Sequence, residues 1–161
     1  MSQSKRAFLF PADDSDRSEA AFSWMLKTVY QDGDEIHIVH VVPRIKFQAA
    51  GYAVPSLNAP MNIDREAYDE VIHKAEEFIV RRFLSKFPQE SHSTPIVHII
   101  KSETDSASKG HIICEKAADL QSTMVCMGNH NRGAVAEFFM GSVSQYVVHH
   151  CKRPVLIVRG E

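Results

Sequence analysis

Apolar residues along the chain gather in five short runs, and between the runs they recur at every third or fourth position. The runs are "RAFLFP" (6–11), "EIHIVHVV" (35–42), "TPIVHII" (94–100), "TMVCMG" (123–128) and "PVLIVRG" (154–160). The first, fourth and fifth are almost unbroken, as suits parallel strands covered on both faces. In 16–30, Phe22, Met25, Leu26 and Val29 share one helical face, and Asp13, Asp14, Ser15 and Asp16 precede it as candidate caps for its free N–H groups. From 64 to 87 a longer stripe of Tyr68, Val71, Ile72, Ala75, Phe78, Ile79 and Phe83 halts near Pro88. "ASKGHIICEKAADL" (107–120) and "SVSQYVVHHC" (142–151) predict two further helices.

The order is β-α-β-α-β-α-β-α-β, which predicts a single α/β domain over residues 1–161 built on one doubly wound, five-stranded parallel sheet. Residues 43–63, "PRIKFQAAGYAVPSLNAPMNI", break the pattern with three prolines and no periodicity. A loop of that length usually carries function or moves.

Composition then narrows the partners. Of 161 residues 44% are hydrophobic and 24% charged, the net charge is −2, and no run of Lys or Arg exceeds two residues. This argues against nucleic acid or an anionic membrane as a partner. The opening "MSQSKRAFLF" lacks the apolar core of a signal peptide, and no segment approaches the ~20 apolar residues of a membrane span. Three cysteines, Cys114, Cys126 and Cys151, are odd in number and widely spaced, so a cytoplasmic location without a disulfide framework is expected.

In open α/β sheets a ligand sits beyond the carboxyl ends of the strands, where the strand order reverses. Two loops qualify: "PADDSDRS" after the first strand and "GNHNRGAVAEFFMGS" after the fourth. Three of the seven glycines fall within 127–142. Gly128 allows a sharp exit from the strand, Gly141 removes a Cβ that would obstruct an anion, Ser142 adds a hydroxyl, and Arg132 lies in the same loop. Ahead of a helix, whose N–H groups point outward, that set suits phosphate. The plain alternative is turn geometry with Ser142 as an N-cap and no ligand at all.

The run from Gly128 to Pro154, "GNHNRGAVAEFFMGSVSQYVVHHCKRP", resembles the signature of the universal stress protein family. That signature is glycine, two residues, glycine, nine residues, glycine, then serine or threonine, followed by a helix and a strand. Gly128, Gly141 and Ser142 match it; "FLFPADDSDRSEAAFSWML" resembles the family's first strand with its aspartate, Asp13, and serine, Ser15, and "HIVHVV" its second strand. The resemblance implies a Rossmann-like fold of flavodoxin-like connectivity, commonly homodimeric, that takes ATP or AMP in its ATP-binding branch. By resemblance Pro11, Ala12, Asp13 and Val41 lie around adenine and ribose. Met127, Gly128, Asn129, His130, Asn131, Arg132, Gly141, Ser142, Val143 and Ser144 line ribose and phosphates. The family's second glycine is Asn131 here. Asn tolerates the left-handed region, but its side chain occupies space a phosphate needs, at a cost of about 1–2 kcal/mol.

Binding is expected over catalysis. There is no G-x-x-x-x-G-K-[ST] run and hence no P-loop lysine. Asp13 and Asp14 are candidates for Mg²⁺ but also for helix caps, and His130 could orient a water in a slow ATPase. No resident metal site is expected: the adjacent His149 and His150 point about 100° apart on a helix, and His37 and His40 face opposite sides of a strand. A stress-response regulator or sensor is therefore the leading expectation. A dimeric interaction module that has lost its nucleotide is the alternative. In the run 154–160, Val155, Leu156, Ile157 and Val158 offer no charge against pairing, which favours a homodimer through this edge.

Overall fold

The computed structural model describes residues 5–44, 61–129 and 140–159. In chain order the elements are β1 (Ala7–Pro11), α1 (Asp16–Thr28), β2 (Glu35–Pro43), α2 (Met61–Arg82), a single 3₁₀ turn (Leu84–Lys86), β3 (Ile96–Ser102), α3 (Ser106–Asp119), β4 (Met124–Gly128), α4 (Ser142–His150) and β5 (Val155–Val158). The five strands form one parallel sheet in the order β3-β2-β1-β4-β5. β1 sits at the centre, with Phe8 opposite Ile36 on one side and Met124 on the other.

The period-two alternation of each strand sorts its side chains onto two faces. On one face Phe8, Phe10, Ile36, Ile38 and Cys126 pack under α1 and α2, which contribute Phe22, Met25, Ala75, Phe78 and Ile79. On the other, Leu9, Val39, Val125 and Met127 pack under α3 and α4, which contribute Ile113, Ala117 and Val147. Phe10, Phe22 and Phe83 meet in a triangle with ring centroids 5.0, 5.7 and 5.3 Å apart. Each such ring stabilises by roughly 1.5–3 kcal/mol through the apolar area it removes from water.

Three boundaries differ from the sequence pattern. Residues 61–63 belong to α2 and not to the loop before it, and the remainder of that loop from 45 to 60 lies outside the described residues. α2 gives way after Arg82 to the 3₁₀ turn instead of continuing to 87, and the turn stops at Phe87, which Pro88 drives out of the helical region to φ −70° and ψ 136°. β3 is shifted to 96–102, where Lys101 and Ser102 extend the pairing along Val42 and Pro43.

Candidate functional site

The strand order turns at β1 and β4: the chain leaving β1 climbs to one face of the sheet and the chain leaving β4 to the other. An open cleft of about 590 Å³ lies there, a volume within the range of small-ligand sites.

The β1 side of the cleft is held by a short series of hydrogen bonds. Ala12 N donates to Val39 O at 2.8 Å, and His40 Nδ1 lies 2.7 Å from Ala12 O. A carbonyl only accepts, so Nδ1 carries the proton and Nε2 the lone pair. Burial lowers the His40 pKa; the bond to Ala12 and the charge of Asp13 oppose this, while the charge of Lys109 adds to it. The imidazole is thus neutral near pH 7, braced edge-on against Phe78 at 4.8 Å. Asp13 N donates to Ser18 Oγ at 3.3 Å, and Ser15 caps α1 by accepting from Ser18 N at 3.1 Å. Asp14 is drawn off to α2, where Arg81 and Arg82 bind its carboxylate at 3.2 and 2.5 Å.

The opposite side is the start of α4. Gly141 is its N-cap, with φ −60° and ψ 152°, and among the described residues no side-chain cap bond forms there, whereas Ser15 caps α1 and Asp105 caps α3. The first N–H groups of a helix have no partner within the helix, and those of α4 open toward the cleft that Gly141, Ser142, Val143 and Ser144 line. Ser142 Oγ hydrogen-bonds Ser106 Oγ, at the start of α3, at 2.6 Å. The starts of α3 and α4 thus stand side by side, and Lys109 from the first turn of α3 brings a cation into the cleft.

Of the residues singled out from the sequence, Pro11, Ala12, Asp13, Val41, Met127, Gly128, Gly141, Ser142, Val143 and Ser144 all line this one cleft. Asn129 is not among its walls; its Oδ1 accepts from Gly141 N at 3.4 Å and ties the end of β4 to the start of α4. His130, Asn131 and Arg132 lie outside the described residues. Gly128, at the end of β4, packs against α1, and the chain beyond Asn129 lies outside the described residues. A Cβ there would lie 3.2 Å from Arg17 O and 3.3 Å from Ala21 Cβ, so the glycine lets α1 approach the sheet.

Pattern reading missed Val39, His40, Ser106, Lys109, Ile113 and Met140, which also line the cleft. A signal existed for Ser106 and Lys109: consecutive helices on one face of a doubly wound sheet start at the same end. Among the described residues no group of three His, Cys, Asp or Glu side chains is placed to hold a metal. His37 and His40 do face opposite sides: His37 meets His98 at 2.9 Å, and His40 packs on Phe78.

A family model described as the universal stress protein family matches residues 5–159. The chain belongs to that family. A universal stress protein of Mycolicibacterium smegmatis is 26% identical over 161 residues, covering 99% of this chain and 50% of that protein. The chain spans about half the length of the curated relatives it matches. Among solved structures, the universal stress protein UspA of Lactobacillus plantarum superposes with a TM-score of 0.68 at 19% identity, covering 98% of this chain and 100% of that one. One from Archaeoglobus fulgidus, in complex with dAMP, does so with a TM-score of 0.51 at 15% identity, covering 95% and 96%. Both likenesses establish the universal stress protein fold for this chain. Among the described residues no helix is long and apolar enough to cross a membrane.

Proposed function

We propose that this universal stress protein binds an adenine nucleotide, ATP or AMP, in the cleft between the β1 and β4 loops, and works as a nucleotide-responsive regulator or sensor. The observation that carries the reading is the start of α4, where Gly141, Ser142, Val143 and Ser144 open into the cleft beside Lys109. Aligned peptide dipoles and the first N–H groups there favour negative charge. The apolar floor of Val39, Val41 and Met127 suits a base, and the family member from Archaeoglobus fulgidus that holds dAMP supports adenine. Any Mg²⁺ would arrive on the phosphates, since Asp14 is engaged by Arg81 and Arg82. That engagement also favours binding over turnover. A homodimer through β5 goes with this reading: β5 ends the sheet, and Val155, Leu156, Ile157 and Val158 offer no charge against pairing.

Calorimetric titration with ATP and AMP tests the site through Ser142→Asp. An acid in the first turn suits a helix, so circular dichroism is expected to stay unchanged while the added charge repels phosphate. Affinity is expected to fall at least tenfold, about 1.4 kcal/mol. Equal affinity in both proteins, or no nucleotide binding by the wild type, would remove the reading. Mass spectrometry of the native protein supplies a second check, because co-purified nucleotide is expected.

A further inference from the structure

Away from the cleft, α3 and α4 pack along a seam that repeats every turn. At its upper end Ser106 meets Ser142. Four residues on, Gly110 lies against Tyr146 so closely that a Cβ would stand 2.4 Å from Tyr146 Cδ1. Positions four apart on a helix form one ridge, so the next residue on this ridge of α3 is Cys114. The matching step on α4 is His150, and Cys151, the C-cap residue, follows it directly. Cys114 and Cys151 are in side-chain hydrogen-bond contact, S–H to S, both are partly buried, and both pack in the same apolar cluster. Gly110 lets the two helix backbones approach closely at this turn of the seam. Cys126 is fully buried on the other face of the sheet.

We propose that Cys114 and Cys151 are a reversible dithiol–disulfide pair, a redox modification site that staples α3 to the end of α4. Neither thiol lines the cleft, so the pair stands independently of nucleotide binding. The co-reactant is a hydroperoxide. Cys151, where the chain leaves α4, is the thiol that the peroxide oxidises first, losing its proton as it attacks. Its sulfur bonds to a peroxide oxygen, the O–O bond breaks, and the leaving hydroxide takes up a proton as water. The sulfenic acid on Cys151 is then attacked by the Cys114 sulfur; the S–O bond breaks, the S–S bond forms, and the hydroxide leaves with the Cys114 proton as a second water. Two thiols are oxidised by two electrons and one peroxide is reduced to water. The roles follow from position: burial, then the bond to Cys151 and the charge on that sulfur, push the Cys114 thiol up to about 12. Cys114 keeps its proton until its neighbour has reacted. A dithiol reductant reverses the process.

The full chain, treated with hydrogen peroxide and then alkylated under denaturing conditions, tests this by mass spectrometry. The intact mass is expected to drop by two hydrogens, only Cys126 is expected to be alkylated, and digestion should yield a peptide joining Cys114 to Cys151. Dithiothreitol should restore all three thiols. In Cys114→Ala, dimedone should capture a sulfenic acid on Cys151; in Cys126→Ala the cross-link should still form. Three alkylated thiols after peroxide, stable sulfinic acid on Cys151 without a cross-link, or disulfides only between chains would each overturn the proposal.

Discussion

His98 shows how much one side chain can depend on its neighbours. The Glu35 carboxylate can only accept, so His37 donates to it through Nε2 at 2.6 Å. His37 Nδ1 then has only a lone pair to offer, and takes the Nε2–H of His98 at 2.9 Å. Only with both rings doubly protonated would two donors face each other across this contact. Burial, the charge of Lys116 and the neighbouring His37 bring the His98 pKa down from 6.5 to about 4. A base whose pKa is lower folded than unfolded contributes stability that is complete above the unfolded value and is lost as pH falls toward the folded one. His40 acts in the same direction, while His92, raised by Asp32, opposes it from an exposed pair that salt screens. Urea unfolding is therefore expected to show stability falling as the pH drops from about 6.5 to about 5.5, before most carboxylates begin to titrate. His98→Gln keeps a donor for His37 without a titrating ring and should flatten that slope; an equally steep slope in the variant would assign the loss elsewhere. That His37 and His40 point to opposite faces was legible from strand periodicity alone. The hydrogen-bonded pair was not, because it depends on the register that sets Val39 against His98 across two strands.

Between elements, the seam of α3 and α4 puts two physical effects in competition at Gly110. In a free helix, Gly→Ala stabilises by up to ~1 kcal/mol through backbone entropy. Here the new methyl would overlap Tyr146, and not merely a movable tip, since Tyr146 Cβ itself is 3.0 Å from the added atom. Overpacking of this kind costs about 1–3 kcal/mol. Gly110→Ala is thus expected to lower the urea midpoint with an unchanged m-value, and a raised midpoint would mean the helices part without penalty. At the same scale Arg82, on α2, binds Asp14, Asp16 and Glu19 around the start of α1. Arg82→Ala should make stability less sensitive to salt, as measured by unfolding in low and high sodium chloride. Among the described residues the five strands and four α-helices were legible from apolar spacing, because burial imposes the period directly. Their ends were not: Phe87 obeys the proline that follows it, and 61–63 carry no apolar stripe to announce a helix.

For the molecule as a whole, strand order was the missing quantity. Nothing local to β1 or β4 says that they are neighbours; that follows from how two faces of helices share one sheet. Once they are neighbours, the loop residues picked for their chemistry come together, as do Ser106 and Lys109, which had no motif to mark them. The edge at β5 can be tested without disturbing the ladder inside. Val125 N bonds Pro154 O and Asn129 N bonds Val158 O, so alternate residues face β4 and Ile157 aims its N–H away from the sheet. Ile157→Pro removes only that outward donor, as an edge strand tolerates. Sedimentation is expected to change from dimer to monomer with circular dichroism preserved, and a wild type that sediments as a monomer would end the proposed pairing. One consequence of the Ser106–Ser142 contact concerns energy and not shape. It sets two positive helix poles shoulder to shoulder, a mild like-sign repulsion that the empty protein must bear. An anion lodged between them would turn that discord into shared attraction, so pyrophosphate by itself should raise the melting temperature, and sodium chloride should erode the gain.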